Sequence, residues 1–220
     1  MGLITEGDET DYHKQITELV TWCECNNLIL NISKTKEMII DFRRKAVAPH
    51  SPLVIKGEEV ERVSSFKFLG TTIHESLSWD LNTSLIIKKS HQRLYFLRQL
   101  KKFKVSKSAM THFYRATIES VLTFSMLVWF AHTTSQDKAK LERVVRRAAK
   151  IIGCSLPTLS SLFSSRIVRK AHKIIADNTH PAHHLFNLLP SGRRYRAIKC
   201  ATSRFRDTTY PVAIRHLNLL

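Results

Sequence analysis

Residues 134–153 read TSQDKAKLERVVRRAAKIIG, which is the two-sided pattern of an amphipathic helix. Thr134 and Asp137 fit a capping box at its start, and Gly153 fits the residue that ends many helices. Apolar residues recur three and four positions apart, as one side of a helix requires: Leu141, Val144, Val145, Ala148, Ile151 and Ile152. The other side is basic and carries Arg143, Arg146, Arg147 and Lys150. This stretch therefore predicts a packed helix whose outer side is strongly positive.

Positive charge is concentrated in the second part of the chain. The 220 residues hold 35 Lys+Arg and 18 Asp+Glu, a net charge of +17. Residues 1–80 have a net charge of −4, whereas residues 81–220 have a net charge of +21. We therefore predict a domain boundary near residue 80 and an anionic partner for the second domain. We expect nucleic acid and no membrane, because no predicted helix combines its basic side with the bulky aromatic side of an interfacial anchor.

The apolar pattern predicts an α+β fold made of two dissimilar parts. The first domain, 1–80, reads as a small mixed α/β region with a helix over 12–25. Its predicted strands are short and separated by polar or glycine-containing turns: 28–30, 38–40, 52–55, 59–63 and 65–70. The second domain, 81–220, reads as mostly helical, with helices over 81–103, 107–132, 136–153 and 158–177.

Clusters of basic residues in the second domain are the candidate binding sites. A solvated surface is the simpler explanation of any one such cluster, but here the clusters recur with few acids nearby. We predict that their side chains contact the phosphates of nucleic acid. These candidates are Lys88, Lys89, Arg98, Lys101, Lys102, Arg143, Arg146, Arg147, Arg193, Arg194 and Arg196.

Several motifs, in one order along the chain, resemble the reverse transcriptases of LINE-type (non-LTR) retrotransposons of the L2/CR1-like group. In the first domain they are residues 19–31, 34–36 and 66–70. In the second they are residues 77–79, 92–98, 113–115, 118–122, 180–183 and 189–196. The resemblance implies a remnant of the polymerase palm followed by a helical thumb and a C-terminal extension. It also implies RNA, DNA or an RNA–DNA hybrid as the partner.

The resemblance implies roles for two short segments of the first domain. Lys34 and Lys36 resemble the palm motif whose lysine lies near the incoming nucleotide. Phe68, Leu69 and Gly70 resemble the turn that holds the primer end.

The catalytic aspartates of the family are missing from this chain. In the family they belong to an upstream segment and to a Tyr/Phe-Ala-Asp-Asp hairpin, and they bind the Mg²⁺ ions of the polymerase reaction. No Asp-Asp pair occurs in the sequence. Mg²⁺ would thus belong to an intact polymerase, and for this chain we predict no catalytic residues, no cofactor and no polymerase activity of its own.

A second resemblance points to a different class of protein. Residues 12–44 resemble a segment associated with the N-terminal part of AlkB-type tRNA-modifying proteins, which pair an iron-dependent dioxygenase domain with a methyltransferase domain. An iron site of that kind is typically begun by His-x-Asp. None of the 11 histidines is followed two positions later by Asp or Glu, and the six glycines never cluster into a nucleotide loop. We therefore expect neither activity, even if the segment is shared.

Motifs that the sequence lacks bear on metal binding and on the compartment of the protein. Cys23 and Cys25 have no second Cys/His pair at zinc-ligand spacing. His180, His183 and His184 could bind a metal, but exposed imidazoles at a helix start after Pro181 explain them more simply, so we predict no metal ligands. The opening residues carry no basic signal region, so we expect an intracellular protein, cytoplasmic or nuclear and not secreted. A third hypothesis stays open, in which the chain is a retroelement relic with no function as a protein.

Overall fold

The computed structural model describes residues 2–43 and 50–219, which form two compact units. The N-terminal unit comprises residues 2–68 and 73–77, and the helical unit comprises residues 69–72 and 78–219. Short strands belong mainly to the first unit and long helices to the second, so the predicted α+β class is confirmed.

The N-terminal unit combines one helix with short paired strands. Its elements are α1 (Thr10–Cys25), a 3₁₀ turn (Ile32–Lys34), β1 (Lys36–Glu37), β2 (Val54–Ile55), β3 (Glu58–Glu59) and β4 (Glu61–Arg62). β1 pairs with β4 in parallel, and β2 pairs with β3 in antiparallel register, with Ile55 opposite Glu58. A further hairpin joins β5 (Ser65–Phe68) to β6 (Thr71–His74).

A small apolar core and one buried carboxylate hold this unit together. Leu53, Ile55 and Val60 are buried against apolar residues of α1. Glu37, which is 7 % exposed, accepts hydrogen bonds from the Tyr12 hydroxyl at 2.8 Å and from Arg62 Nε at 2.7 Å. Burial and the Glu37 carboxylate raise the pKa of Tyr12 well above its ordinary value, so this phenol stays a donor.

The predicted strands over 28–30 and 38–40 are wrong. Neither run is paired with another strand, and Ile29 is 97 % exposed. Asn31 instead starts the 3₁₀ turn, because its side chain accepts a hydrogen bond from the Lys34 N–H at 3.0 Å. A three-residue apolar run forms a strand only where a partner satisfies its backbone, and sequence alone does not show the partner.

The helical unit is built from long helices and short connecting turns. Its long helices are α2 (Asp80–Lys102), α6 (Ser135–Ile152) and α7 (Leu159–Ala176). Its shorter elements are α3 (Lys107–Phe113), a π-helical turn (Tyr114–Glu119), α4 (Ser120–Leu122), α5 (Met126–Trp129), a 3₁₀ turn (His183–Leu185), α8 (Ser203–Arg206) and α9 (Thr209–Leu217). One apolar core joins the long helices, with Leu97, Trp129 and Leu141 fully buried.

The amphipathic helix over 134–153 is confirmed in detail as α6. The Thr134 hydroxyl accepts a hydrogen bond from the Asp137 N–H at 3.1 Å and donates one to the Asp137 carboxylate at 3.0 Å. Gly153 ends the helix with φ +79°, and its N–H donates to the Ala149 carbonyl at 2.8 Å. Of the predicted apolar stripe, Ile151 is half-buried and the rest are buried.

The helix predicted over 107–132 is interrupted twice. A π-helical turn replaces regular α-helix at Tyr114–Glu119, and the chain breaks at Ser125, whose φ is +49°. Two side chains donate to the carbonyls at the break: Arg166, from α7, donates to the Thr123 carbonyl at 2.9 Å, and Trp129 Nε1, five residues along the chain, donates to the Phe124 carbonyl at 2.9 Å. Periodicity cannot reveal such a break, because one of the donors comes from another helix.

Limited trypsin digestion of the full chain should leave the helical unit as the surviving fragment. The reason is that its apolar core is much larger than the three-residue core of the N-terminal unit, so local opening costs more free energy. The measurement is mass spectrometry of fragments over a time course, with a denaturant-treated sample as the control. A surviving fragment from residues 2–68, with the helical unit lost first, would contradict this expectation.

Candidate nucleic-acid interface

The outer side of α2 carries a continuous line of exposed polar and basic residues. Lys88, His91, Tyr95, Arg98 and Lys102 follow one another at spacings of three, four, three and four, so they share one side of the helix. The buried residues of α2, among them Ile86, Leu94 and Leu97, point away from this line into the core. The packing of α2 therefore fixes the direction in which its cations point.

A second line of cations lies on α6, which packs against α2. Arg143, Arg147 and Lys150 are exposed at spacings of four and three. The two lines meet where Arg147 Nη1 lies 3.5 Å from His91 Nε2. We call Lys88, His91, Arg98 and Lys102 of α2, together with these three residues of α6, the basic face.

The cations of the basic face contribute to a shift in the pKa of His91. Partial burial, followed by the charges of Arg147 and Arg98, lowers the pKa of His91 below its ordinary value. The His91 imidazole, which lies 3.5 Å from Arg147, is therefore neutral at neutral pH. This arrangement suits an anion, which would relieve the repulsion among the cations.

Three acids of the helical unit, Glu142, Asp137 and Asp207, are engaged in contacts with groups outside the basic face. Glu142, the neighbour of Arg143 in sequence, instead accepts a hydrogen bond from the Leu159 N–H at 2.7 Å at the start of α7. Asp137 caps α6, and Asp207 contacts Arg206 and Arg215. Within residues 2–43 and 50–219, no lysine or arginine of the basic face forms an ion pair with a carboxylate.

Other basic candidates are exposed outside the basic face as defined here, and one of them adjoins it. Lys89 and Lys101 are on other sides of α2, whereas Arg146 adjoins the α6 line, three residues from Arg143 and four from Lys150. Arg193, Arg194 and Arg196 belong to a separate loop in which Leu188 bridges to Tyr195. Asn218, directly after α9, holds this loop, because its side chain accepts from the Tyr195 N–H at 2.8 Å and donates to the Tyr195 carbonyl at 3.0 Å. The three arginines are therefore exposed on a loop that is hydrogen-bonded to Asn218.

The lysines predicted to lie near a nucleotide have ordinary surroundings in the N-terminal unit. Lys34 is exposed at the end of the 3₁₀ turn. Lys36 is half-buried on β1 and pairs with Glu61 on β4. An ion pair of this kind leaves Lys36 less available to a phosphate than the cations of the basic face.

The predicted primer-contacting residues form the tip of the β5–β6 hairpin. Phe68 and Leu69 are 57 % and 78 % exposed. Leu69 and Gly70 both have positive φ, +45° and +87°, which a tight hairpin turn requires. A Cβ at Gly70 would lie 3.0 Å from the Phe124 ring, so another residue there would require that ring to shift by a few tenths of an ångström.

Sequence reasoning missed His91 and Tyr95 as members of the α2 line. Their spacing relative to Lys88 and Arg98 would have revealed them, because all four recur at helical intervals. The candidates predicted from sequence are lysines and arginines only, so they do not include His91 and Tyr95.

Neither a metal centre nor a membrane-spanning element is found in the part of the chain that the structure describes. No three His, Cys, Asp or Glu side chains among residues 2–43 and 50–219 are grouped so as to hold a metal ion. No helix within those residues has the length and hydropathy needed to cross a bilayer.

One family matches part of the chain. Residues 79–120 match the family described as alkylated DNA repair protein alkB homolog 8, N-terminal. The match covers α2, α3 and the π-helical turn, whereas the likeness to AlkB-type proteins was expected over 12–44, whose last residue lies outside the described residues. The expected position was therefore wrong. No curated protein and no solved structure matches the chain.

Binding of a polyanion should raise the pKa of His91, so affinity should increase by about two- to threefold from pH 7.5 to pH 5.5. The sign follows from the two guanidinium groups: phosphates beside Arg98 and Arg147 offset the charges that depress the pKa, so binding and protonation of His91 assist each other. The measurement is the imidazole chemical shift of His91 across pH, with and without a short oligonucleotide. His91→Gln should reduce the pH dependence, whereas His172→Gln, at another exposed histidine on α7, should leave it unchanged.

Proposed function

We propose that this chain is a non-catalytic protein that binds nucleic acid through the basic face of α2 and α6. The observation that carries the proposal is the convergence of two lines of cations at the contact between Arg147 and His91, where none of these cations pairs with a carboxylate within residues 2–43 and 50–219. Lysine and arginine side chains displayed in this way neutralise phosphates and release the counterions of nucleic acid. Because such contacts read no bases, the binding is sequence-tolerant and accepts RNA, DNA or an RNA–DNA hybrid.

The family match supports a link to nucleic acid and not a particular reaction. The matched family is named for the repair of alkylated DNA, and the match includes α2, which supplies four members of the basic face. The sequence lacks the His-x-Asp start of an iron site and the clustered glycines of a methyltransferase loop. The proposal is therefore an AlkB-homologue N-terminal-like segment in a binding protein, without dioxygenase or methyltransferase activity.

A second candidate is that the chain is a fragment of a LINE-type reverse transcriptase. The exposed Phe68 and Leu69 at the tip of a tight hairpin favour this hypothesis, since a turn that holds a primer end must present its side chains outward. The family match supports the AlkB-homologue description better, and none of the comparisons supports a reverse transcriptase. Both candidates share a basic helical surface for nucleic acid and differ in the origin of the chain.

Removal of three cations from the basic face should weaken nucleic-acid binding and its salt dependence together. For Lys88→Gln/Arg98→Gln/Arg147→Gln we expect the slope of log affinity against log salt to fall by about 2 to 3, at roughly 0.7–0.9 for each phosphate that the variant no longer neutralises. The measurement is fluorescence anisotropy with a labelled oligonucleotide, over salt concentrations from about 50 to about 300 mM.

The matched control removes the same charge elsewhere. Lys14→Gln/Lys67→Gln/Lys199→Gln changes three exposed lysines outside the basic face, and the slope should stay near that of the unchanged chain. Equal slopes for the two triple variants would mean that binding follows net charge and not the basic face. Affinity independent of salt would contradict the electrostatic basis of the proposal.

The purified chain should fail to extend a primer on an RNA template, with or without added Mg²⁺. The reason is that the sequence has no Asp-Asp pair to hold the metal ions of nucleotide transfer. The measurement is incorporation of labelled nucleotides, with a commercial reverse transcriptase as the positive control. Extension that a chelator abolishes would show that this chain carries a polymerase site.

A further inference from the structure

An open aromatic groove adjoins the basic face on α2. The groove has a volume of about 530 Å³ and lies between α2 and the segment formed by α3 and the π-helical turn. Its principal walls are Phe96, Leu100 and Phe103 on one side and Phe113, Ala116 and Thr117 on the other. All of these residues lie in the segment that matches the AlkB homolog 8 N-terminal family.

Two phenylalanine rings of the groove are exposed to solvent. Phe96 is 56 % exposed and Phe103 is 75 % exposed, although the core of this unit has fully buried positions for large apolar side chains. Exposed aromatic rings that line one concavity are more informative than scattered apolar residues, because they leave a continuous apolar surface uncovered. The groove therefore offers a flat apolar ligand exposed rings to stack against.

One cation lines the groove, two more are close to its lining residues along the chain, and together they favour a negatively charged occupant. Arg93 is part of the wall, Lys89 lies one turn before it on the same side of α2, and Lys104 directly follows Phe103. Lys89 and Lys104 are exposed and take part in no ion pair within residues 2–43 and 50–219. An occupant with a flat apolar part and a negative backbone satisfies both the rings and the cations, and an unpaired nucleotide has both.

The groove is continuous with the basic face through neighbouring rings. Tyr95 of the α2 line and Phe96 of the groove contact edge to face, with ring centroids 5.6 Å apart. A strand whose phosphates lie along Lys88, Arg98 and Lys102 would thus pass beside the groove. Bases that leave a stack commonly rest on aromatic side chains in this way.

The opposite wall is fixed by a contact that spans the groove. The Arg93 guanidinium donates a hydrogen bond to the carbonyl of Thr117 in the π-helical turn. This bond ties α2 to the turn and sets the separation of the two walls. It also turns Arg93 inward, so the cation borders the groove instead of extending along the basic face.

We propose that this groove binds an unpaired nucleobase, stacked on Phe96 and Phe103, so that the chain prefers single-stranded nucleic acid over duplex. The inference rests on the proposed function, because it assumes that phosphates occupy the basic face. To the proposed function it adds that single-stranded nucleic acid is the ligand and that the unpaired base is the part recognised.

The test compares strands that have the same phosphates but different bases. Fluorescence anisotropy with the full chain uses a single-stranded DNA 10-mer, the same strand with abasic sites at its internal positions, the fully paired duplex, and the RNA 10-mer of the same sequence. Phe96→Ala/Phe103→Ala should weaken binding of the intact DNA and RNA strands about tenfold. The same variant should change binding of the abasic strand and the duplex by less than about twofold, and should leave the salt slope unaltered. If the loss occurs with RNA alone or DNA alone, that strand is the ligand of the groove.

A control variant and a second readout keep the test decisive. Phe205→Ala removes a ring of similar exposure from α8, outside the groove, and should have no effect. A 10-mer carrying 2-aminopurine should lose fluorescence on binding to the unchanged chain, since stacking quenches that base, so this readout does not depend on how any variant folds. Unchanged 2-aminopurine emission, or an equal loss of affinity for intact and abasic strands, would overturn the inference while leaving the proposed function standing. Failure of the unchanged chain to bind any of the four probes would overturn the proposed function itself.

Discussion

The apolar contact between α2 and α6 is the constraint on which the rest of the helical unit depends. Leu94 and Leu97 of α2 and Val144 and Ala148 of α6 are buried in one core. Burial of a large aliphatic side chain stabilises a fold by about 1.5–3 kcal/mol, whereas a pair of like charges on a helix surface costs only a few tenths of a kcal/mol. Packing therefore decides the orientation of both helices, and their cations are brought together despite mutual repulsion. The basic face is a consequence of the core.

The distribution of acids completes this arrangement. Any carboxylate beside Arg143 or Arg147 would cancel part of the positive potential, and Glu142 is well placed in sequence to do so. The structure directs Glu142 to the first backbone N–H groups of α7, where a negative charge also complements the helix dipole. Glu142 therefore stabilises a helix end and adds no negative charge to the basic face.

The sequence predicted features that depend on local residues and missed those that depend on distant ones. The start and end of α6 could be read from Thr134, Asp137 and Gly153, because a cap is formed within one turn. The break at Ser125 could not be read, because one of its carbonyls, that of Thr123, is satisfied by Arg166 from another helix. At the candidate site, the cations were identifiable by residue type alone. Their grouping into two lines required knowledge of which sides of α2 and α6 are buried.

The aromatic groove shows most clearly what the fold adds to the sequence. Phe96 and Phe103 are seven residues apart and would be expected on an apolar, core-facing side of α2. The buried side of α2 instead runs through Leu94 and Leu97, and the π-helical turn places Ala116 and Thr117 opposite the two rings. Small side chains at these two positions leave the groove open, where larger ones would fill it. One helix consequently presents charge on one side and exposed rings on the adjacent side. In the proposed function the charge supplies affinity for any polyanion, and only the rings distinguish an exposed base from a paired one.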